Sequence, residues 1–138
     1  MSVRKEDRTG QHLTVINSSR ILIDYTYDRV KDNKIFPKAQ RWLLPNKIWD
    51  NAIGIRSSIL HANSIRVESR SEAEARLLLI KEAFGYVENL EALIDFCNIK
   101  GLISDERADY WEGLVDDTVK ELNGWLKEER ERYRSYLE

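Results

Sequence analysis

Both prolines of this 138-residue chain lie close together, at Pro37 and Pro45, and none follows them. Proline fixes φ, removes a backbone donor and disfavours helix in the residue before it. The chain therefore has one strong break. We predict that a helix reaching Lys34 ends near Phe36 and that a new helix begins near Pro45 or Asn46. Beyond that break, long helices can form without interruption.

Apolar residues after the break recur at spacings of three and four, which is typical of helices that bury one face. The first of these helices is predicted from about Asn46 to Val67. The second starts at a capping box, Ser71–Glu74, and ends before Gly101, a residue suited to a left-handed helix stop. The third is capped by Ser104. The pattern thus predicts three helices after the break.

The chain before the break has a weaker apolar pattern. We predict a helix that starts near Ser18 or Ser19, since serine is a favourable N-cap. Residues 1–12 are polar and are expected to form a flexible tail. At the other end, residues 127–132 are all charged, and we predict that the last helix extends beyond the bundle after Leu126.

Four amphipathic helices with short joints predict an all-α fold, an antiparallel up-down-up-down four-helix bundle. Residues 13–138 would form this single domain, and a chain of this length can enclose a proper core. No apolar run approaches the length of a membrane span, and we expect a cytoplasmic protein.

Residues for catalysis or metal binding are scarce. The two histidines, His12 and His61, lack the Glu-x-x-His pattern of di-iron bundles, and the single cysteine, Cys97, is expected to be a small core residue. We therefore predict a protein that is not an enzyme and has no cofactor or metal. The less favoured alternative is a Mg²⁺-dependent, all-α NTP pyrophosphohydrolase similar to those of the MazG kind. Its candidate ligands are Glu88, Glu91, Glu106 and Asp109.

The connector that contains the two prolines, residues 35–47, is basic. Between Asn33 and Ser58 the only acidic residue is Asp50. Lysine and arginine neutralise phosphates, and exposed aromatic rings stack on unpaired bases. We predict that Phe36 and Trp42 close the end of the core, with base stacking as the alternative. The candidate nucleic-acid-binding residues are Lys38, Arg41, Lys47 and Arg56.

Charge is divided unevenly along the chain. Residues 1–70 carry 13 Lys and Arg against 7 Asp and Glu, whereas residues 71–138 carry 9 against 17. A polyanion would meet the first half favourably and the second unfavourably. Alternatively, the two halves pair with each other or with further copies. That alternative predicts a structural, oligomeric protein-interaction module without nucleic-acid binding.

A family resemblance is carried by the order and spacing of short motifs over about residues 13–127. They are Leu13-Thr14-Val15-Ile16, Tyr27-Asp28-Arg29-Val30, Phe36-Pro37-Lys38 with Arg41-Trp42, Ala62-Asn63, Gly101-Leu102-Ile103-Ser104 with Tyr110-Trp111, and Leu122-Asn123-Gly124-Trp125-Leu126. The chain resembles the four-helix-bundle proteins related to the accessory variability determinant (Avd) of diversity-generating retroelements. More distantly, it is similar to proteins encoded in 23S rRNA intervening sequences.

This resemblance implies a barrel-shaped homopentamer of four-helix bundles. It also implies binding to the retroelement's reverse transcriptase and to nucleic acid, in support of mutagenic cDNA synthesis and without catalysis by the bundle. By position, the basic surface would include Lys38, Arg41, Lys47 and Arg56.

Overall fold

A computed structural model of the chain describes residues 11–40 and 42–138, with side chains from residue 14 onward, and this part contains helices and turns but no strand. Four long helices carry the fold: α1 (Gln11–Val30), α2 (Leu44–Ser64), α3 (Arg70–Ile99) and α4 (Asp105–Arg132). Each packs against its neighbours in the chain, and α1 also packs against α4. The predicted four-helix bundle is confirmed as an architecture.

The core lies between the four helices. On α4, six residues spaced three or four apart are all buried. They are Ala108, Trp111, Val115, Thr118, Leu122 and Trp125. None of the described helices is both long and apolar enough to span a membrane.

Helix α1 begins earlier than the serine pattern predicts. It already includes Gln11 and His12, the last two residues of the predicted tail, while residues 1–10 lie outside the described residues. Ser19 is a fully buried residue inside the helix, and its hydroxyl donates to the Ile16 carbonyl at 3.0 Å. A serine whose hydroxyl bonds within its own helix need not be a cap, so the prediction of a start near Ser18 or Ser19 is wrong.

The predicted break is confirmed, although α1 stops at Val30, several residues before Phe36. Asp32 organises the turn that follows, since its carboxylate accepts from the Lys34 amide at 2.9 Å and its carbonyl accepts from the Phe36 amide at 2.9 Å. A 3-10 turn follows at Lys38–Gln40, and Pro45 then lies in the first turn of α2. That position suits proline because its missing N–H has no partner there.

The two connector aromatics have opposite environments. Phe36 is buried and closes the end of the core, as predicted. Trp42 is 79% exposed, so the prediction that it also closes the core is wrong. The 3-10 turn separates the two rings, and the chain leaves the core between them.

Helix α2 ends at Ser64, before the predicted Val67, and α3 is capped two residues earlier than predicted. The hydroxyl of Ser69 accepts from the Glu72 amide at 3.3 Å, and Glu72 in turn accepts from the Glu68 amide at 2.8 Å. The sequence contains two overlapping Ser-x-x-Glu motifs, which begin at Ser69 and at Ser71, and the first of them caps the helix. The predicted cap at Ser71 is therefore wrong.

The joint between α3 and α4 agrees with prediction. Gly101 has a φ of 74°, its amide donates to the Asn98 carbonyl, and the Leu102 amide donates to the Cys97 carbonyl, both at 2.9 Å. These bonds form a Schellman stop, for which glycine is best suited. Ser104 then caps α4 by accepting from the Arg107 amide at 3.1 Å.

The charged end of α4 remains in the bundle longer than predicted. Glu129 is fully buried, and α4 continues to Arg132. A short helix, α5 (Arg134–Leu137), follows and packs against α3. The predicted departure from the bundle after Leu126 is wrong, because Glu129 has a partner inside it.

Candidate nucleic-acid interface

The connector presents two of the four predicted basic residues to solvent. Lys38 begins the 3-10 turn after Pro37, and Lys47 lies in the first turn of α2, after Pro45. Both side chains are exposed. A proline therefore precedes each lysine closely, Pro37 before the 3-10 turn and Pro45 within the first turn of α2.

The other two predicted residues differ from these lysines. Arg41 lies outside the described residues. Arg56 is half-buried, and its Nη1 atom is buried without a hydrogen-bond partner among the described residues. It follows Lys47 by nine positions, which is about 13 Å along a helix. The structure thus does not bring Arg56 to the same point as Lys38 and Lys47.

A groove of about 440 Å³ lies between the end of α1 and the start of α2. Cations and aromatic rings line it together: Tyr27, Lys31, Lys38 and Trp49. The rings of Tyr27 and Trp49 meet edge to face, with centroids 5.7 Å apart. The Lys31 ammonium lies 4.9 Å from the Tyr27 centroid. We call this the Tyr27 groove.

The Tyr27 groove combines two features that nucleic acids require, positive charge for phosphates and ring faces for bases. Tyr27 is 49% exposed, so its ring is accessible. The predicted site residues did not include Tyr27, Lys31 or Trp49. Lys31 is one of the basic residues before the break and Tyr27 begins a resemblance motif, but their approach to Trp49 requires α1 and α2 to be packed together.

A second groove, of about 410 Å³, lies on the other side of the connector, and we call it the Trp42 groove. Its lining is almost entirely apolar, with Lys47 as the single cation among the described residues that form it. The lining residues are Phe36, Gln40, Trp42, Leu43, Leu44, Pro45, Lys47 and Phe96. Lys47 therefore belongs to a surface of different chemistry from that around Lys38.

An acidic groove of about 700 Å³ lies between α3 and α4 and contains four carboxylates: Glu88, Glu91, Asp95 and Glu112. The pKa of Glu112 is raised, first by its partial burial and then by the nearby carboxylates Asp95, Glu91, Asp109 and Asp116. Negative charge is therefore concentrated on this face of the bundle.

Three of the four candidate Mg²⁺ ligands lie in or near this groove, while Glu106 occupies the first turn of α4 and does not line it. In the part of the chain that the structure describes, no three His, Cys, Asp or Glu side chains are arranged to hold a metal ion.

Cys97 is fully buried in the core, which agrees with its prediction as a small core residue. Burial raises the pKa of its thiol to about 11. The thiol is therefore neutral near pH 7, and a neutral thiol is a poor nucleophile.

The structure also contains a buried ion pair that was not predicted from the sequence. Arg76 and Glu129 are both fully buried, and the Arg76 Nη2 atom lies 2.8 Å from the Glu129 Oε1 atom. A periodic signal was present, since Arg76 lies on the face that includes Ala73 and Ile80, and Glu129 follows Trp125 by four residues. Charged residues on an apolar face indicate a buried pair.

Comparison of the sequence with protein-family models gives no match, and comparison with curated proteins gives none either.

Proposed function

We propose that this bundle is a non-catalytic accessory protein of a diversity-generating retroelement. In this role it binds the retroelement's reverse transcriptase, its RNA, or both, in support of mutagenic cDNA synthesis. The motif order over residues 13–127 supports the retroelement assignment by resemblance. A bundle of four long helices agrees with the fold that this resemblance implies.

One observation carries the nucleic-acid part of the proposal. The Tyr27 groove combines Lys31 and Lys38 with the rings of Tyr27 and Trp49. Phosphates of a single strand would meet the two ammonium groups, while an unpaired base would stack on the exposed Tyr27 ring. Because the second half of the chain is acidic, we expect the nucleic acid to approach at the connector end only.

Several finer features belong to the same proposal. They are the up-down-up-down order of antiparallel helices, assembly of five copies into a barrel, and a cytoplasmic location. Contributions of Arg41 and Arg56 to RNA binding also belong to it, whereas Lys47 lies in the apolar Trp42 groove.

The test of RNA binding is retention of a single-stranded RNA oligonucleotide over a range of salt concentrations. The double variant Lys31→Ala/Lys38→Ala should bind more weakly. Its salt dependence, the slope of log K against log [salt], should fall by about 1.4, because each phosphate contact to a single strand contributes about 0.7. Tyr27→Ala should weaken binding by about 1–3 kcal/mol if one base stacks there.

Matched controls come from elsewhere on the chain. Lys81→Ala/Lys120→Ala removes two lysines from α3 and α4, and Tyr110→Ala removes an exposed tyrosine from α4. These variants should keep RNA affinity within about twofold, since charges and rings that lie away from the contact are separated from the RNA by screening solvent. Equal losses in both sets would show that binding depends on overall charge and would refute the groove as the site.

The reverse-transcriptase part needs a separate test. A reverse transcriptase encoded beside this gene should be retained by the tagged bundle after nuclease treatment, with an unrelated reverse transcriptase as the control. Absence of such a neighbouring gene would refute the retroelement assignment, whatever the outcome with RNA.

A further inference from the structure

Exposed apolar side chains surround the Trp42 groove. Trp42 is 79% exposed and Leu43 65% exposed, although both border the groove. Phe96 lines it from α3, and Ile99, 71% exposed, lies three residues further along that helix. Residues three apart on a helix are neighbours. Two separate segments of the chain therefore present apolar side chains at one end of the bundle.

Single exposed apolar residues are common, but a contiguous group around a concave surface is typical of an interaction site. Buried Phe36 forms part of the lining, so the groove continues from the core outward. A partner that fills this groove would extend the core by apolar contact, and removing apolar area from water favours binding.

The charges around the groove restrict what can occupy it. Lys47 is part of the lining, and the Lys100 ammonium lies 5.6 Å from the Phe96 centroid. No Asp or Glu is among the described residues that line the groove. Two copies that met groove to groove would bring these lysines against their counterparts, so a symmetric dimer contact through this groove is disfavoured. The occupant should instead carry carboxylates.

Nucleic acid suits this surface less well than the Tyr27 groove. A single strand needs cations along its backbone, and among the described lining residues Lys47 alone is a cation. Trp42 and Phe96 offer rings on which bases could stack, but stacking alone would leave the phosphates of a strand without the row of cations they need. A partner strand would need a sheet edge to pair with, and the described residues contain no strand.

We propose that the Trp42 groove docks an amphipathic helix of a partner protein. Its apolar face fills the groove, and its flanking carboxylates meet Lys47 and Lys100. This inference deepens the proposed function and rests on it for the existence of a protein partner. It assigns the protein contact and the RNA contact to two different grooves.

The probe is a synthetic amphipathic peptide of about 18 residues, long enough to form a helix. It carries Leu and Phe at spacings of three and four and Glu at the other positions. The comparison peptide has Lys in place of every Glu. With the full chain, fluorescence anisotropy should show binding of the Glu peptide at least about tenfold tighter than that of the Lys peptide, because the groove is bordered by cations.

The double variant Trp42→Ser/Leu43→Ser removes the most exposed part of the groove and should weaken binding of the Glu peptide at least about tenfold. Two matched controls, Leu78→Ser and Tyr110→Ser, replace exposed apolar residues of α3 and α4 outside the groove. They should bind the peptide within about twofold of the unaltered chain. Circular dichroism should show the same helix content in all variants.

Each of three results would overturn the proposal. The first is peptide binding that is unchanged by Trp42→Ser/Leu43→Ser or that does not distinguish Glu from Lys. The second is loss of self-association in that variant, seen by sedimentation, which would show that a second copy covers the groove. The third is loss of RNA retention in that variant, which would assign the groove to nucleic acid.

The same variants separate this inference from the proposed function. Trp42→Ser/Leu43→Ser should lose the peptide and keep RNA, whereas Lys31→Ala/Lys38→Ala should lose RNA and keep the peptide. A chain that binds the peptide but no RNA refutes only the nucleic-acid proposal. A chain that binds RNA but not the peptide refutes only the docking proposal.

Discussion

Arg76 of α3 and Glu129 of α4 form a bidentate ion pair inside the bundle. The Arg76 Nη2 atom donates to Oε1 at 2.8 Å, and its Nε atom donates to Oε2 at 3.2 Å. Arg76 Nη1 donates to the Ile65 carbonyl at 3.0 Å, and Trp125 Nε1 donates to Glu129 Oε1 at 2.8 Å. The pair therefore joins the end of α2, the start of α3 and the end of α4. All three guanidinium nitrogens of Arg76 and both carboxylate oxygens of Glu129 have hydrogen-bond partners.

Removing one member of this pair should be strongly destabilising. We expect Arg76→Met to lower the free energy of unfolding by about 3–5 kcal/mol, because it leaves a buried carboxylate without its main counter-ion. The measurement is the midpoint of urea denaturation. Arg70→Met is the control, since it breaks an exposed ion pair with Glu74 and should cost less than about 1 kcal/mol. Equal midpoints for the two variants would contradict the role assigned to the buried pair.

A buried hydrogen bond between Thr26 and Trp111 links α1 to α4. The indole Nε1 donates to the Thr26 Oγ1 atom at 3.0 Å, and that hydroxyl donates to the Leu22 carbonyl at 2.8 Å. Thr26→Val should cost about 1–3 kcal/mol, because it leaves a buried indole N–H without an acceptor. Adding Trp111→Phe should cost less than the sum of the two single changes, and thermal unfolding of all four proteins in the cycle measures this coupling. Strict additivity would mean that the hydrogen bond contributes nothing.

Gly54 on α2 lies directly beneath the ring of Tyr86 on α3. A Cβ atom at Gly54 would lie 2.5 Å from the Tyr86 Cδ1 atom, so the ring would have to move. We expect Gly54→Ala to destabilise the bundle by about 1–3 kcal/mol. Gly113→Ala is the matched control, since its Cβ would meet nothing within 4 Å, and it should stabilise α4 by about 0.5–1 kcal/mol. Chemical denaturation measures the free energy of unfolding of both variants. Stabilisation by Gly54→Ala would show that the Tyr86 ring does not lie close to Gly54.

The raised pKa of Glu112 predicts how stability depends on pH. The folded state holds this proton more tightly than the unfolded state, whose carboxyl titrates near 4.5. Its ionised form therefore destabilises the fold at neutral pH, and this penalty disappears as pH falls through the folded pKa towards 4.5. Glu112→Gln should stabilise the protein at pH 7 by less than about 1 kcal/mol, because solvent screens the groove.

The gain from Glu112→Gln should shrink at acid pH and at high salt, where neighbouring carboxylates are protonated or screened. Thermal melting at two pH values and two salt concentrations measures this. Glu82→Gln, which removes an exposed carboxylate of α3 outside the acidic groove, should show a smaller gain at pH 7. A gain for Glu112→Gln that is independent of pH would exclude the electrostatic explanation.

Sequence periodicity predicted α4 better than α1 for a physical reason. The buried face of α4 is apolar except for Thr118 until Glu129, so its spacing is easy to recognise. The buried face of α1 alternates apolar and hydroxyl residues, namely Val15, Ser19, Leu22 and Thr26. Hydroxyls that bond to carbonyls of their own helix can be buried, and they conceal the pattern.

The candidate site, too, could be predicted only in part from the sequence. The connector and its cations follow from composition, and Lys38 and Lys47 are exposed there. Their separation into an aromatic basic groove and an apolar groove does not follow from the sequence, because it depends on which rings of α1, α2 and α3 meet at the connector. Trp49 approaches Tyr27, whereas Phe96 lines the same groove as Trp42 and Lys47.

The sequence by itself determined four helices, the proline break and the glycine stop at Gly101, because backbone sterics and local hydrogen bonds act over a few residues. Tertiary structure alone decided that Phe36 is buried while Trp42 is exposed, and that Arg76 meets Glu129 across 53 positions. These outcomes depend on how whole helices pack, since a side chain is buried or paired only when distant segments bring a partner to it.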